Sequence, residues 1–176
     1  MLKELVDVIW IVLPAYIANG APVVAAKLLS KLGLRRHPID FGKNFLDGKR
    51  IFGDSKSWEG LVSGVMGGVL TGFIQSSLTN NLIVKGILTG FVLGLGAMMG
   101  DLIGAFIKRR LGLRPGEPLP LVDQLLFLVV ALYLGISCKL IVMTYEMWLY
   151  ALVLTLLLHI LTNYIAYLLK LKNVPW

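Results

Sequence analysis

Asp101 and Asp123 are the residues of this chain whose placement asks for chemistry. Asp101 stands in Gly100-Asp101-Leu102, deep in a long apolar run, and Asp123 opens the next apolar run just past a proline-rich turn over residues 115–120. An ionisable group inside such a run is costly and is a functional suspect by default. Lys108 follows Asp101 by two helical turns and so shares its helix face. Two carboxylates at one depth, beside cations able to bind phosphate, are how Mg²⁺ is usually held, with substrate phosphates completing its shell. Each aspartate also has a plainer reading. Asp101 could pair with a basic residue from elsewhere, and Asp123 could be a first-turn carboxylate stabilised by the helix dipole.

The second concentration of chemistry is the stretch Phe41-Gly42-Lys43-Asn44-Phe45-Leu46-Asp47-Gly48-Lys49-Arg50-Ile51-Phe52-Gly53-Asp54-Ser55-Lys56-Ser57-Trp58-Glu59-Gly60. Glycines let backbone N–H groups approach an anion, Lys and Arg neutralise it, and an aromatic ring can stack on a base. Membrane orientation alone accounts for the number of cations here, but not for the interleaved Asp47 and Asp54. There is no Walker-type loop, so ordinary P-loop chemistry is not indicated. Three polar residues in other apolar runs complete the candidates. Asn19 lies beside Pro22 in a run also broken by Pro14, where its amide would hold a polar headgroup or cap the broken turn. His159 and Asn163 are four apart on one face, suited to interhelical hydrogen bonding or to a headgroup. His37, the only other histidine, has no matching spacing for a metal site.

These residues must be positioned by membrane helices. Of the 176 residues 57% are apolar and only 15% charged, with a mean hydropathy of +0.79. That is too apolar for a soluble domain of this size and excludes intrinsic disorder. A single cysteine, Cys138, excludes a disulfide framework. Five stretches are long enough to span, at about 5–29, 61–78, 82–107, 121–143 and 147–169, in one membrane domain over 1–176. Glu4, Asp7 and the length of the first stretch argue against a signal peptide. The net charge of +7 is concentrated in loops 30–60 and 108–120 and in Lys170 and Lys172 of the tail. The positive-inside rule makes both loops and the C-terminus cytoplasmic and puts the N-terminus outside. Glycines recur every four residues at Gly60, Gly64, Gly68 and Gly72, and again at Gly86, Gly90 and Gly94, then at Gly96, Gly100 and Gly104. Such stripes predict close apposition of the second and third helices and place Asp101 against protein.

Taken together, these residues resemble the CTP-dependent cytidylyltransferases that activate membrane lipids, and most of all the archaeal branch, the CDP-archaeol synthase family. The run Asp47-Gly48-Lys49-Arg50-Ile51-Phe52-Gly53-Asp54-Ser55-Lys56-Ser57-Trp58-Glu59-Gly60 is similar to that branch's most specific signature. Gly100-Asp101-Leu102, Lys108-Arg109 and Asp123 resemble the wider pattern of a Gly-Asp, a Lys-Arg pair and a later Asp. Asn19 with Pro22, His159 with Asn163, and the ending Val174-Pro175-Trp176 also resemble the archaeal branch. The chain departs from the CDP-diacylglycerol synthases. Ala105 stands where they carry Ser, Arg114-Pro115 and Pro118-Leu119-Pro120 replace their Lys-Asp and His-Gly-Gly, and Asp123-Gln124 replaces Asp-Arg.

The resemblance implies an all-α integral membrane enzyme with five spans. It would transfer CMP from CTP to 2,3-bis-O-(geranylgeranyl)-sn-glycerol 1-phosphate, releasing pyrophosphate, in phospholipid biosynthesis at the cell membrane. Asp101, Asp123 and Lys108 would be catalytic, with Asp101 and Asp123 holding Mg²⁺. Asn44, Asp47, Gly48, Lys49, Arg50, Gly53, Asp54, Lys56 and Arg109 would bind CTP and its phosphates. Asn19, His159 and Asn163 would serve the lipid headgroup or support the site. The partners are then CTP, an isoprenoid ether lipid phosphate and membrane lipids, with no nucleic acid. Two rivals remain at this stage. A CDP-alcohol phosphotransferase shares only the Asp47-Gly48 opening of its longer motif. A small transporter or channel fits poorly, since five spans do not halve and the ionisable residues gather at one face.

Overall fold

The computed structural model describes residues 2–170; Lys172 and the Val174-Pro175-Trp176 ending lie outside the described residues. The fold is all-α, with five helices in the order α1 Leu2–Lys31, α2 Trp58–Leu78, α3 Ile83–Arg110, α4 Val122–Ser137 and α5 Tyr145–Leu168. Four of them, α1, α2, α3 and α5, are long and apolar enough to cross a membrane. The fourth helix is shorter than the 121–143 expected from the sequence. Its 16 residues rise about 24 Å, against a hydrocarbon core of about 30 Å. The chain leaves the helix because Lys139 takes a left-handed φ of 58°, and the N–H groups of Leu140 and Ile141 turn back to the Gly135 carbonyl at 3.0 and 3.4 Å.

Pro14 and Pro22 do not interrupt α1, which runs on as one helix. A proline withdraws the hydrogen bond that the carbonyl four residues earlier would have received. Pro14 thus frees the Trp10 carbonyl, and Gln75 Nε2 of α2 donates to it at 2.6 Å. Pro22 frees the Ala18 carbonyl, which lies against Gly64 of α2, where a Cβ would come within 2.9 Å of that oxygen. The neighbouring helix therefore gives a donor to one freed carbonyl and room to the other, and α1 runs on without a break.

The glycine stripes do what their spacing predicts. A Cβ on Gly68 or Gly72 would overlap the carbonyls of Gly90 and Gly86 on α3, and one on Gly96 or Gly100 would collide with the backbone of α4 at Ala131 and Phe127. α3 is thereby clasped between α2 and α4, and the fully buried Val8, Val12, Leu93, Leu128 and Leu132 fill the remaining core. Gly72→Val forces backbones apart and should destabilise the protein by about 3 kcal/mol or abolish its folding, the upper end for overpacking. Thermal denaturation in detergent checks this. A variant as stable as the parent would contradict the helix contact.

α5 is attached by polar contacts as well as packing. The hydroxyls of Tyr16 and Thr155 lie 2.7 Å apart, and Lys27 Nζ donates to the Lys170 carbonyl at 2.9 Å, just past the C-terminus of α5. The long loop over residues 32–57 leaves α1 and returns to the start of α2. An antiparallel bridge between Pro38 and Ser57 closes its base, where the Trp58 N–H donates to the His37 carbonyl at 3.0 Å. Ser57 caps α2 by accepting from the Gly60 N–H at 3.2 Å, and Glu59 of the first turn accepts from the His37 N–H and ring. The loop is fastened at both ends over the C-terminal end of α3.

Candidate active site at one membrane boundary

Asp101 is half-buried on α3, and both its oxygens accept from Lys56 Nζ at 2.6 Å. Asp123, in the first turn of α4, accepts from Lys108 Nζ at 2.8 and 3.1 Å and from the Leu119 N–H at 2.8 Å. The plainer readings of both residues are thus met: Asp101 is ion-paired to another element, and Asp123 is a first-turn carboxylate. The pattern across the two is more informative. Asp101, more than two turns inside α3, and Asp123, in the first turn of α4, are each covered by an ammonium from a flexible side chain.

The loop between α1 and α2 is organised by Asp40, a residue outside the motif that the sequence singled out. Asp40 is only 4% exposed. It accepts from Arg50 Nη2 at 2.7 Å and Nε at 3.3 Å, and from the N–H groups of Gly53, Phe52 and Gly42 at 2.9, 3.0 and 3.1 Å. Burial opposes ionisation, but the Arg50 and backbone hydrogen bonds outweigh it and hold the carboxyl well below the usual carboxylate range. Arg50 also pairs with Asp54 at 2.8 Å. Only a local signal could have revealed this hub: an aspartate two residues before Gly42 is the pattern of an Asx turn. Asp40→Ala leaves three N–H groups without an acceptor and Arg50 with Asp54 alone, so the loop should lose about 3 kcal/mol of local stability. Hydrogen exchange of residues 41–56 measures it. Because the folded pKa is depressed, Asp40's contribution should be complete above about pH 4, decline below it, and vanish once the pH passes the folded value.

The other loop cations fall into two groups. Lys49 and Arg110 exchange contacts: Lys49 Nζ donates to the Arg110 carbonyl at 2.9 Å, at the C-terminus of α3, and Arg110 Nη2 donates to the Lys49 and Arg50 carbonyls. Arg110 Nε lies 3.0 Å from the Asp47 carboxylate, and its guanidinium is held over the rings of Phe45 and Phe106. Arg110 was not singled out in the sequence because it is the third cation of a Lys-Arg-Arg run. Arg109 differs from all of these. It is 9% exposed, has no ion pair among the described residues, and its Nε lacks a hydrogen-bond partner. Gly53, at a φ of 93°, lies against it, with a Cβ there falling 3.6 Å from Arg109 Nη1. A buried cation without a partner is costly, and an incoming anion would relieve that cost.

Asn44 is exposed and bridges Arg50 across a small hairpin whose turn contains Asp47 and Gly48. Asn19 is half-buried within α1 and makes no side-chain hydrogen bond among the described residues. Asn163 Nδ2 and His159 Nδ1 are 2.9 Å apart on α5. Near the mouth, an open apolar groove of about 530 Å³ runs between α1 and α2, lined by Ala25, Leu28, Leu29, Trp58, Glu59, Val62 and Ser63. Among the described residues no three His, Cys, Asp or Glu side chains converge as a metal cage. The site still fits a hard cation. Asp101 and Asp123 are oxygen donors, each opposite a positive charge, which is the donor chemistry a hard cation takes.

Long apolar helices, an apolar groove and a charged mouth are the features of a multi-pass membrane protein. A solved chain described as an intramembrane enzyme for archaeal membrane lipid biosynthesis is similar to this one with a TM-score of 0.80 and 36% identity, covering 90% of this chain and 94% of that one. A family model for CarS-like CDP-archaeol synthase matches residues 1–176. A CDP-archaeol synthase of Pyrobaculum calidifontis is 44% identical over 99% of this chain and 100% of its own length. One from Thermofilum pendens is 47% identical over 97% of this chain and 80% of its own. The chain belongs to the CDP-archaeol synthase family.

Proposed function

We propose that this chain, as a single membrane domain, transfers the cytidylyl group of CTP to an isoprenoid ether lipid phosphate, 2,3-bis-O-(geranylgeranyl)-sn-glycerol 1-phosphate, at the cytoplasmic face. The observation that carries this reading is the cation arrangement. Lys56 and Lys108 each cover a carboxylate, while the buried Arg109 has none among the described residues. A polyphosphate is the ligand that such a set would take.

An oxygen of the lipid phosphate attacks the α-phosphorus of CTP. The bond from that phosphorus to the bridging oxygen breaks, and pyrophosphate leaves with the electron pair. The attacking oxygen is already anionic, so no general base is required. Positioning and charge neutralisation supply most of the catalysis. Asp101 and Asp123 would hold Mg²⁺, which when bound neutralises charge on the phosphates. Lys56 and Lys108, released from those carboxylates, reach phosphate oxygens by rotating flexible side chains. Arg109 receives the triphosphate from beneath Gly53, and Arg50 stays fixed by Asp40 and Asp54. The groove between α1 and α2 suits an isoprenoid chain of the acceptor, its mouth lying beside the loop that carries these cations. Asn19, His159 and Asn163 stand in the half of the bundle nearer the loop, where they would support the headgroup.

Purified protein given CTP, Mg²⁺ and the lipid phosphate should release pyrophosphate only when all three are present. Release of CMP from a CDP-lipid and a free alcohol would instead mark a phosphotransferase.

A further inference from the structure

The small hairpin over residues 43–51 carries an apolar side chain at its corner, where a water-facing turn would carry a polar one. Its arms pair through the Phe45 N–H to the Lys49 carbonyl at 2.8 Å and the Ile51 N–H to the Lys43 carbonyl at 3.2 Å. The turn closes with the Gly48 N–H donating to the Phe45 carbonyl at 3.0 Å, helped by a φ of 76° at Gly48. Leu46 sits at the corner and is 96% exposed, more than any other large apolar residue among those described.

The tip does not wave in solvent. Phe45 meets Phe106 of α3 edge-on, with ring centroids 5.2 Å apart, and Arg110 lies over both rings. Met99, Ile103, Phe106 and Arg110 follow one another at spacings of four, three and four, so they form one stripe along α3. Asp101 and Lys108 lie about half a turn away, on the opposite face. Met99 and Ile103 are exposed, and on a helix that crosses a membrane an exposed apolar stripe faces lipid. The stripe ends in Arg110, a cation with an apolar stem at the end of the span, which is the usual marker of the membrane boundary. Phe45 continues the stripe past the helix, and Leu46 is the next residue.

We infer that the hairpin tip is a membrane-contact wedge: Leu46 enters the interfacial layer of the leaflet at the C-terminal end of α3, with the exposed Lys43 beside it toward lipid phosphates. Continuity with the lipid-facing stripe and the flanking Lys43 and Arg110 select lipid over a second copy of the chain or a soluble protein. The wedge fixes the height of a loop whose following residues are Arg50, Gly53 and Lys56. Contact with the bilayer therefore positions that loop, whatever reaction it serves.

The test uses the full chain with Cys138→Ser, reconstituted in nanodiscs of diphytanoyl phosphatidylcholine with a minority of diphytanoyl phosphatidylglycerol. Single cysteines replace Leu46 or, as a reference on the same loop, Ser55, and each carries an environment-sensitive fluorophore. The label at 46 should be quenched several-fold more by nitroxide on lipid headgroups than the label at 55, and less by aqueous iodide. Equal iodide quenching at both positions with no nitroxide effect would overturn the proposal. So would shielding at 46 that lacks nitroxide quenching and grows with the number of copies per disc, which would mark a protein contact. In an otherwise unlabelled chain, Leu46→Asp should leave the melting temperature unchanged yet speed hydrogen exchange of residues 43–51 in nanodiscs and not in detergent. An equal rate in both settings would contradict a role for the bilayer.

Discussion

Asp101→Asn is expected to lower formation of the CDP-lipid by about a thousand-fold, the loss of several kcal/mol of charge stabilisation at the reacting phosphates. The structure makes this variant more than a deletion of charge. Lys56 holds both oxygens of Asp101 at 2.6 Å, so the amide leaves a half-buried ammonium without its counter-charge. Some stability should be lost with it. Pairing Asp101→Asn with Lys56→Met removes that penalty, because both members of the pair then go together. The double variant should regain thermal stability while remaining inactive. Recovery of activity along with stability would show that neither Asp101 nor Lys56 takes part in the reaction. Full activity of the single variant would remove Asp101 from the reaction altogether.

Arg109→Leu should separate binding from folding in the opposite direction. Arg109 is buried, has no ion pair among the described residues, and is in contact with Gly53 rather than with a carboxylate. A residue kept for structure would lose stability when truncated. An unpaired buried cation should not, since its replacement by an apolar side chain removes the cost of keeping a charge out of water. The expectation is therefore an unchanged or higher melting temperature with CTP affinity reduced by about a hundred-fold, roughly the loss of one charge-assisted hydrogen-bond pair. Isothermal titration with CTP reads the second quantity directly. A less stable protein that binds CTP normally would make Arg109 a packing residue.

The two variants probe positions of unequal legibility. Asp101, Asp123 and Lys108 could be singled out from sequence because an ionisable residue in an apolar run is conspicuous by cost. Their partners were not legible. That Lys56 crosses from the loop to Asp101 depends on how residues 32–57 fold back over α3, a long-range property. Asp40 escaped notice for a related reason. Its importance comes from burial and from three backbone N–H groups turned toward it, none of which leaves a mark on residue type beyond a short Asx pattern. The helices show the same division. Glycine spacing predicted the α2–α3 clasp, since close approach needs small residues at fixed intervals. The prolines of α1 predicted a break that does not occur, because Gln75 and Gly64 of a different helix accommodate the freed carbonyls. The end of α4 at Ser137 was hidden by apolar residues that continue to Met143 without remaining helical.

The carboxylates, the loop cations and the apolar groove converge on one claim, that the α-phosphorus of CTP is transferred to a lipid phosphate. CTP labelled with ³²P at that atom tests it most directly. Incubated with the reconstituted protein, Mg²⁺ and 2,3-bis-O-(geranylgeranyl)-sn-glycerol 1-phosphate, the label should pass into the organic phase as CDP-lipid, matched mole for mole by pyrophosphate in the aqueous phase. Label that stays aqueous, or that enters lipid when the acceptor lacks its phosphate, would contradict the account.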